Sequence, residues 1–348
     1  MTKKGCLFSL LLFMLIITSA CANDSEADAS KDKEEGIEIT LAHVFTEDVT
    51  QHKMFMKFKE LMEADSDGKI KVEVYPNGEL GGEREIIESV QGGTITMSAP
   101  SVGVLSNFSP ALGIFDFPFI FKDTENAYSV LKSDFGEGLL KDLEDSGFVG
   151  LGFNDNGWRH LTNSKQEITT PDQVEGLNIR TMEVPMHMTF WESLGTNPTP
   201  MAFTEVFTAL QQGVVDGQEN PLQLIYSMKF HEPNKYITTT GHIFDPEPII
   251  MNKDFFDGLS AENQELVRKN VDKSIEYLHE LNKNLDEELR GKLEAEGAII
   301  TDLTPEQRQL WVDALTPVYK EHASEVDTEK LKALLEAAGN EKFLEAIE

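Results

Sequence analysis

The chain has 348 residues, of which 61 are acidic and 30 are basic, so its formal net charge at pH 7 is -31. The length allows two ordinary domains, and an apolar content of 40% supports a sizeable core. Nucleic acid is a poor partner for so acidic a surface, because binding requires basic residues that neutralise phosphate. An anionic ligand would need a local positive pocket that overcomes the global field.

Residues 1–20 are predicted to be a secretory signal that does not belong to the fold. Lys3 and Lys4 precede an almost unbroken apolar run, residues 7–17, which is too short to span a membrane comfortably. Small residues then lead to Cys21, and this order predicts a lipoprotein with its lipid on Cys21. Plain secretion and a retained helix are the alternatives.

Cysteine usage agrees with an exported protein that does not depend on disulfides. The only other cysteine, Cys6, lies inside the predicted signal. The chain after Cys21 therefore has neither an internal disulfide nor a thiol nucleophile. Residues 21–36 are polar and charged without periodicity, which predicts a flexible tether between the anchor and the folded part.

Short strand patterns alternate with helical patterns along the rest of the chain. Strands are predicted at residues 37–42, 69–75, 94–99, 148–153, 247–252 and 298–301. Helices are predicted up to Met62, over residues 83–90 and over residues 126–143. The aromatic stretch from Ala111 to Phe121 is predicted to pack in the core. This alternation favours an α/β layer fold with parallel strands.

A single long helix is predicted in the last third of the chain. Ser260 is a favourable N-cap, the helical pattern continues towards Glu296, and Gly297 provides a stop. A helix of that length could span two domains. Further on, Thr304 to Gln307 reads as a capping box with proline at the first helical position.

The segment from Gly176 to Pro221 carries the most informative polar residues. Arg180 follows a short apolar strand, and open α/β sheets bind ligands at the carboxyl ends of strands. Its guanidinium matches a carboxylate bidentately, which lysine cannot do. Asn220 lies on a predicted turn and offers an amide to the same ligand. Arg159, predicted to lie on a loop over residues 156–160, could add a second cation.

His43 and Glu83 are ambiguous on sequence alone. His43 ends the first strand and is either a ligand contact or a packed histidine. Glu83 begins a helix, where an acid is commonly a partner of the helix dipole, and could instead accept from ligand hydroxyls. The sequence has no phosphate loop, dinucleotide fingerprint, metal motif or nucleophile elbow, so we expect no cofactor, metal or catalytic residue. A hydrolase with paired carboxylates stays open as an alternative.

The string LGTNPTPMAFTEVFTALQQGVVDGQENP, residues 194–221, closely resembles the signature of the DctP-like solute-binding proteins of TRAP (tripartite ATP-independent periplasmic) transporters. Other matching strings occur in the family's order over residues 37–320: YPNGELGGEREIIESVQGG, NGWRHLTNSK, GLNIRT and KFHEPNKYITTTGH. The resemblance is specific for the family and does not specify the ligand.

The resemblance implies a two-domain α/β clamshell of the periplasmic binding protein type, with a long helix supporting both domains. Domain I would comprise residues 37–156 and about 246–285. Domain II would comprise residues 157–245 and about 286–348.

The resemblance also implies roles for individual residues. Arg180 matches the family's carboxylate-binding arginine, and Asn220 matches an asparagine that meets the same carboxylate. The other expected ligand contacts are Arg159, Phe203, Glu83, His43, Ser101 and Glu183. Some acidic-sugar binders have an acid where this chain has Pro100-Ser101, which argues against sialic acid as the ligand.

The expected function is that of an extracytoplasmic receptor, monomeric and lipid-anchored to the cell membrane. It would capture a small organic anion, either a four-carbon dicarboxylate or a hexuronate or other sugar acid. It would deliver this anion to the small and large integral membrane subunits of the transporter. An ABC-type solute receptor and a ligand sensor for a membrane kinase are the alternatives.

Overall fold

The computed structural model describes residues 36–347. The predicted signal, Cys21 and all but the last residue of the predicted tether lie outside this range. The strands are β1 Ile37–Ala42, β2 Ile70–Tyr75, β3 Met97–Ser98, β4 Phe148–Asn163, β5 Asn178–Thr181, β6 Asn197–Pro200, β7 Gly217–Asn220, β8 Tyr236–Asn252 and β9 Ile299–Thr301.

Helices cover the sheet and carry much of the remaining chain. They are α1 Thr50–Asp65, α2 Glu83–Gln91, α3 Val102–Ser106, α4 Thr124–Leu131, α5 Asp134–Asp142, α6 Pro185–Ser193, α7 Val206–Gln211, α8 Leu222–Ser227, α9 Lys253–Gly258, α10 Ala261–Asn282, α11 Leu285–Ala295, α12 Pro305–His322, α13 Thr328–Ala338 and α14 Glu341–Ile347. None of those in residues 36–347 is long and apolar enough to cross a membrane.

Two long strands, β4 and β8, form the backbone of the sheet. They pair antiparallel along most of their 16 and 17 residues, about three times the usual strand length. At one end β8 pairs with β3, and the sheet continues through β1 to β2. At the other end β4 pairs with β7, and the sheet continues through β5 to β6. The sheet thus has two halves, called here the β1 half and the β5 half, that share β4 and β8.

The observed sheet corrects three of our predictions. The predicted loop at residues 156–160 belongs to β4, so Arg159 lies within a strand. The predicted turn containing Asn220 is the strand β7. The predicted parallel strands are found on both sides of the sheet but not at its centre, where β4 pairs antiparallel with both β7 and β8. Polar residues in these segments hid the strands, since their side chains face a buried polar site instead of an apolar core.

Register shifts interrupt the pairing of β4 with β8 where the chain passes from one half to the other. They lie between Gly150 and Gly152, between Asp155 and Gly157, and between Arg159 and Leu161. A bulge bends its strand and re-aims the side chains next to it. The shifts therefore set the directions of polar side chains in the middle of the molecule.

The predicted long helix is two helices. Ser260 caps α10 as expected, accepting from the backbone N–H of Asn263 at 3.2 Å. The helix ends at Asn282, and α11 begins at Leu285. Asparagine is a weak helix former, and Asn284 adopts a non-helical φ of -129°. The two helices together still contact both halves. In the β1 half α10 packs on α1, and in the β5 half α11 packs on α8.

Other local predictions are confirmed. Thr304 and Gln307 form the reciprocal bonds of a capping box, at 3.2 and 2.9 Å, with Pro305 at the first helical position. The aromatic stretch is core, because Phe115, Phe117, Phe119 and Phe121 are all at most 3% exposed.

Candidate ligand-binding site

Arg180 lies near the carboxyl end of β5, between β6 and β7, as predicted. Its side chain is only 2% exposed although it carries a charge. Nε and Nη2 both donate to the backbone oxygen of Met201, at 3.0 and 2.6 Å. Nη1 is buried and has no hydrogen-bond partner within residues 36–347. One edge of the guanidinium is therefore fixed by backbone, and the other presents free N–H donors.

The charge of Arg180 is poorly compensated. Burial lowers its pKa to about 10, although Glu219 opposes this shift, so the group stays protonated at pH 7. No carboxylate lies within ion-pair distance of it in the described part of the chain. A buried charge without a partner is costly, and a bound anion would supply the missing interaction.

Arg159, the second predicted cation, is already bound by protein carboxylates. Its Nε donates to Glu219 Oε2 at 2.5 Å and its Nη2 to Glu219 Oε1 at 2.8 Å. Its Nη1 donates to Asp245 Oδ2 at 2.8 Å. Burial lowers the pKa of Arg159, but the two carboxylates raise it more, so the net shift is upward. Arg159 is thus an internal positive charge that Glu219 and Asp245 balance.

Asp245 connects several groups around the pocket. Its Oδ1 accepts from Ser101 Oγ at 2.8 Å, while its Oδ2 accepts from Asn156 Nδ2 at 2.9 Å and from Arg159. Asp245 lies on β8 and Asn156 on β4, next to a register shift. The bulge therefore turns Asn156 towards this buried network.

Glu83, at the first position of α2, contributes an acceptor to the same network. Its Oε1 accepts from the backbone N–H of Ser101 at 3.0 Å. Burial raises the pKa of Glu83, and Asp245 adds to this shift, while Arg180 and Arg159 oppose it. A carboxyl group with a raised pKa can either accept from or donate to a ligand hydroxyl.

Arg180, Arg159 and Glu83 line one narrow pocket between the two halves, with a cavity volume of about 10 Å³. Phe45 and Phe203 face each other across it, edge to face, with ring centroids 6.3 Å apart. The lining residues are Val44, Phe45, Glu83, Ser101, Asn156, Arg159, Arg180, Met182, Phe203, Asn220 and Leu224. A polar end at the arginines and an apolar end at the phenylalanines suit a small anion with a carbon body.

Six of the eight residues predicted from sequence line this pocket: Arg180, Asn220, Arg159, Glu83, Phe203 and Ser101. Asn220 is held by its neighbours, since its Nδ2 donates to Gln218 Oε1 at 2.5 Å and its Oδ1 accepts from Arg159 at 3.3 Å. Glu183 is not among the lining residues, and its backbone oxygen accepts from Asn107 Nδ2 at 3.0 Å.

His43 is buried beside the pocket and does not line it. Its Nδ1 accepts from the backbone N–H of Phe45 at 3.2 Å. That bond leaves the proton on Nε2, which lies 3.1 Å from Nδ1 of His52. Both ring nitrogens of His43 are thus used inside the protein, where they position Phe45. Contact of His43 and Glu183 with the ligand stays a prediction.

The buried state of His43 gives a measurable pH dependence. Burial, with a contribution from His52, lowers the pKa of His43 from 6.5 to about 3. As the pH falls, His43 therefore binds its proton in the unfolded chain at a higher pH than in the folded chain. The stabilisation by neutral, buried His43 is complete above about pH 6.5 and is lost as the pH falls towards 3. Between pH 7 and pH 5, we expect the wild type to lose about 2 kcal/mol more unfolding free energy than His43→Gln.

Urea unfolding of both proteins at the two pH values measures this difference. Comparing the proteins cancels the opposite trend of buried carboxyls such as Asp155, whose pKa burial raises to about 6. Equal losses for wild type and His43→Gln would show that His43 does not titrate as the structure implies.

Sequence reasoning missed three important residues, Asp245, Glu219 and Asn156. Glu219 precedes Asn220 in the string that carried the resemblance, and Asn156 lies in another matching string. Their places in these strings did not indicate their ion pairs and hydrogen bonds, because these form between strands that are distant in sequence.

Fold and site together are typical of a solute-binding protein, with a pocket that contains two arginines between two halves of one sheet. The family model for bacterial extracellular solute-binding proteins, family 7 (DctP), matches residues 41–325. The chain belongs to this family, as the sequence resemblance implied.

Individual relatives agree with this assignment. The C4-dicarboxylate-binding periplasmic protein DctP of Rhodobacter capsulatus is 37% identical over 306 residues, 86% of this chain and 90% of that protein. A solute-binding protein of Verminephrobacter eiseniae is 45% identical over 208 residues, 60% of this chain and 62% of that protein.

Solved structures extend the likeness to the fold. The sugar acid binding protein DctPAm of Advenella mimigardefordensis, crystallised with galactonate, has a TM-score of 0.85 and 30% identity. The match covers 88% of this chain and 98% of that one. The two-domain α/β architecture expected from the sequence is confirmed by such neighbours.

Proposed function

We propose that this chain is the extracytoplasmic receptor of a TRAP transporter and that it captures a hydroxylated organic acid with one carboxylate. Arg180 Nη1 is the observation that carries the proposal, since it is a buried, charged donor without a partner among the described residues. The ligand carboxylate binds there by charge-assisted hydrogen bonds in a pocket that excludes water.

The surrounding charges favour one carboxylate over two. Glu219 and Asp245 balance Arg159, so that Arg180 is the uncompensated one of the two arginines that line the pocket. Glu83 adds an acceptor to the same pocket. A second ligand carboxylate would meet Glu83 in the pocket and the charges of Glu219 and Asp245 behind Arg159, whereas a ligand hydroxyl would donate to Glu83. Galactonate, the ligand of the Advenella relative, has this combination of groups.

A four-carbon dicarboxylate is the second candidate. Arg159 lines the pocket, and one N–H of its Nη1 is not needed for the bond to Asp245. The Rhodobacter relative is named as a C4-dicarboxylate-binding protein. A second carboxylate could contact that N–H, provided that Glu83 is protonated.

A thermal-shift panel separates the candidates. We expect galactonate, glucuronate or erythronate to raise the melting temperature, because a ligand that binds only the folded state stabilises it by RT ln(1 + [L]/Kd). Succinate, malate and fumarate should give a smaller shift at equal concentration. A larger shift with succinate than with any hydroxylated acid would reverse the assignment. No shift with any acid would contradict the proposed function.

Export and anchoring complete the proposal. Cys21 carries the lipid that tethers the receptor to the cell membrane, and residues 22–36 allow it to reach the small and large membrane subunits. The receptor acts as a monomer without catalysis. Metabolic labelling with a fatty acid tests the anchor, because Cys21→Ser should lose the label and be released from the membrane.

A further inference from the structure

The helix α1 begins without a capping side chain of its own. Its N-cap residue is Val49, which has no side-chain acceptor for the free N–H groups of the first turn. The acceptor comes from Gln223, 173 residues beyond Thr50. Gln223 Oε1 accepts from the backbone N–H and from Oγ1 of Thr50, both at 2.8 Å. A glutamine side chain therefore caps a helix that is remote in sequence.

This cap joins the two halves of the sheet. The helix α1 packs on β2 and α10 in the β1 half. Gln223 lies on α8, which directly follows β7 in the β5 half and packs on α11. Separation of the halves would leave the first turn of α1 without this acceptor.

The same glutamine also connects the cap to the ligand pocket. Gln223 Nε2 donates to Gln51 Oε1, and Gln51 Nε2 donates to Asn156 Oδ1 at 2.9 Å. Asn156 lines the pocket and donates to Asp245, which holds Arg159. All members of this chain are buried. Buried polar networks are stable only when fully paired, so its members form and separate together.

We propose that Gln223 is a closing latch, a positioning residue that holds the two halves together and slows ligand release without touching the ligand. Opening exposes the N-terminus of α1 and breaks the bond from Gln223 to Gln51, so the latch stabilises the closed form selectively. The effect on ligand release rests on the proposed function, whereas the effect on the open–closed equilibrium does not.

Gln223→Met tests the latch, because methionine has a similar length and cannot accept these bonds. We expect the dissociation rate of the bound acid to rise about five- to tenfold, the change that corresponds to loss of one N-cap. The association rate should change little. Gln212→Met, an exposed glutamine at the end of α7 on the same half, is the matched control and should release ligand at the wild-type rate. A wild-type rate in Gln223→Met overturns the proposal.

A distance measurement on unliganded protein tests the latch independently of the ligand. Both cysteines lie at or before residue 21, so in a Cys21→Ser background spin labels can be placed at Leu80→Cys and Val214→Cys. These exposed sites lie on the β1 and β5 halves, respectively. We expect a short-distance population in the wild type that shrinks in Gln223→Met. Identical distance distributions overturn the latch, whereas failure of every acid to bind overturns only the proposed function.

Discussion

Arg180→Ala is expected to weaken binding of the organic acid by about 2–5 kcal/mol, or roughly thirty- to several-thousand-fold. The loss is large because a bound carboxylate would be left in a buried pocket without its cationic partner. Most of it should appear as faster dissociation. Isothermal titration calorimetry with the acid that gives the largest thermal shift measures the change.

Arg180→Lys should recover only part of this loss. The guanidinium donates to Met201 through one edge and keeps Nη1 for the ligand. An ammonium group has the charge without the planar fork, so it cannot reproduce both contacts in the same geometry. Wild-type affinity in Arg180→Lys would show that the clamp depends on charge alone.

Two controls exclude a non-specific effect of losing an arginine and a loss of folding. Arg84→Ala removes an exposed arginine from the surface of α2 and should bind like the wild type. Circular dichroism should show that Arg180→Ala is folded, since removal of an uncompensated buried charge offsets the bond lost at Met201. Unchanged affinity in Arg180→Ala would contradict the proposed role of Arg180.

Glu219→Ala is expected to lower the unfolding free energy by about 3–5 kcal/mol. Glu219 and Arg159 are both at most 1% exposed, and Glu219 accepts from two guanidinium nitrogens. Removal of the carboxylate leaves Arg159 buried with Asp245 as its only acidic partner among residues 36–347. Urea unfolding at pH 7 measures the loss.

Glu232→Ala is the matched control for this prediction. Glu232 pairs with Lys229 at 3.4 Å on the surface, where side chains are more than half exposed. Exposed ion pairs contribute only about 0–1 kcal/mol, so the control should stay close to the wild type. Equal effects of the two substitutions would mean that the Glu219 pair contributes no more than a surface contact.

Local elements were predictable because short-range chemistry specifies them. The Thr304 capping box and the Ser260 cap depend on residues three positions apart, and both form as predicted. The strand that carries Arg180 follows from a short apolar run closed by polar residues. By contrast, the two asparagines at Asn282 and Asn284 interrupt a helix whose apolar pattern runs on without a break.

The sequence by itself determined the family, the main local elements and most of the pocket residues, with Arg180 first among them. Only the tertiary structure decided how the charges are distributed. Arg159 on β4 and Arg180 on β5 are both buried arginines on the two strands that flank β7, yet one is balanced by Glu219 and Asp245 and the other is left for a ligand. The physical reason is that pairing depends on distances between strands far apart in sequence, which the register of β4 against β7 and β8 sets.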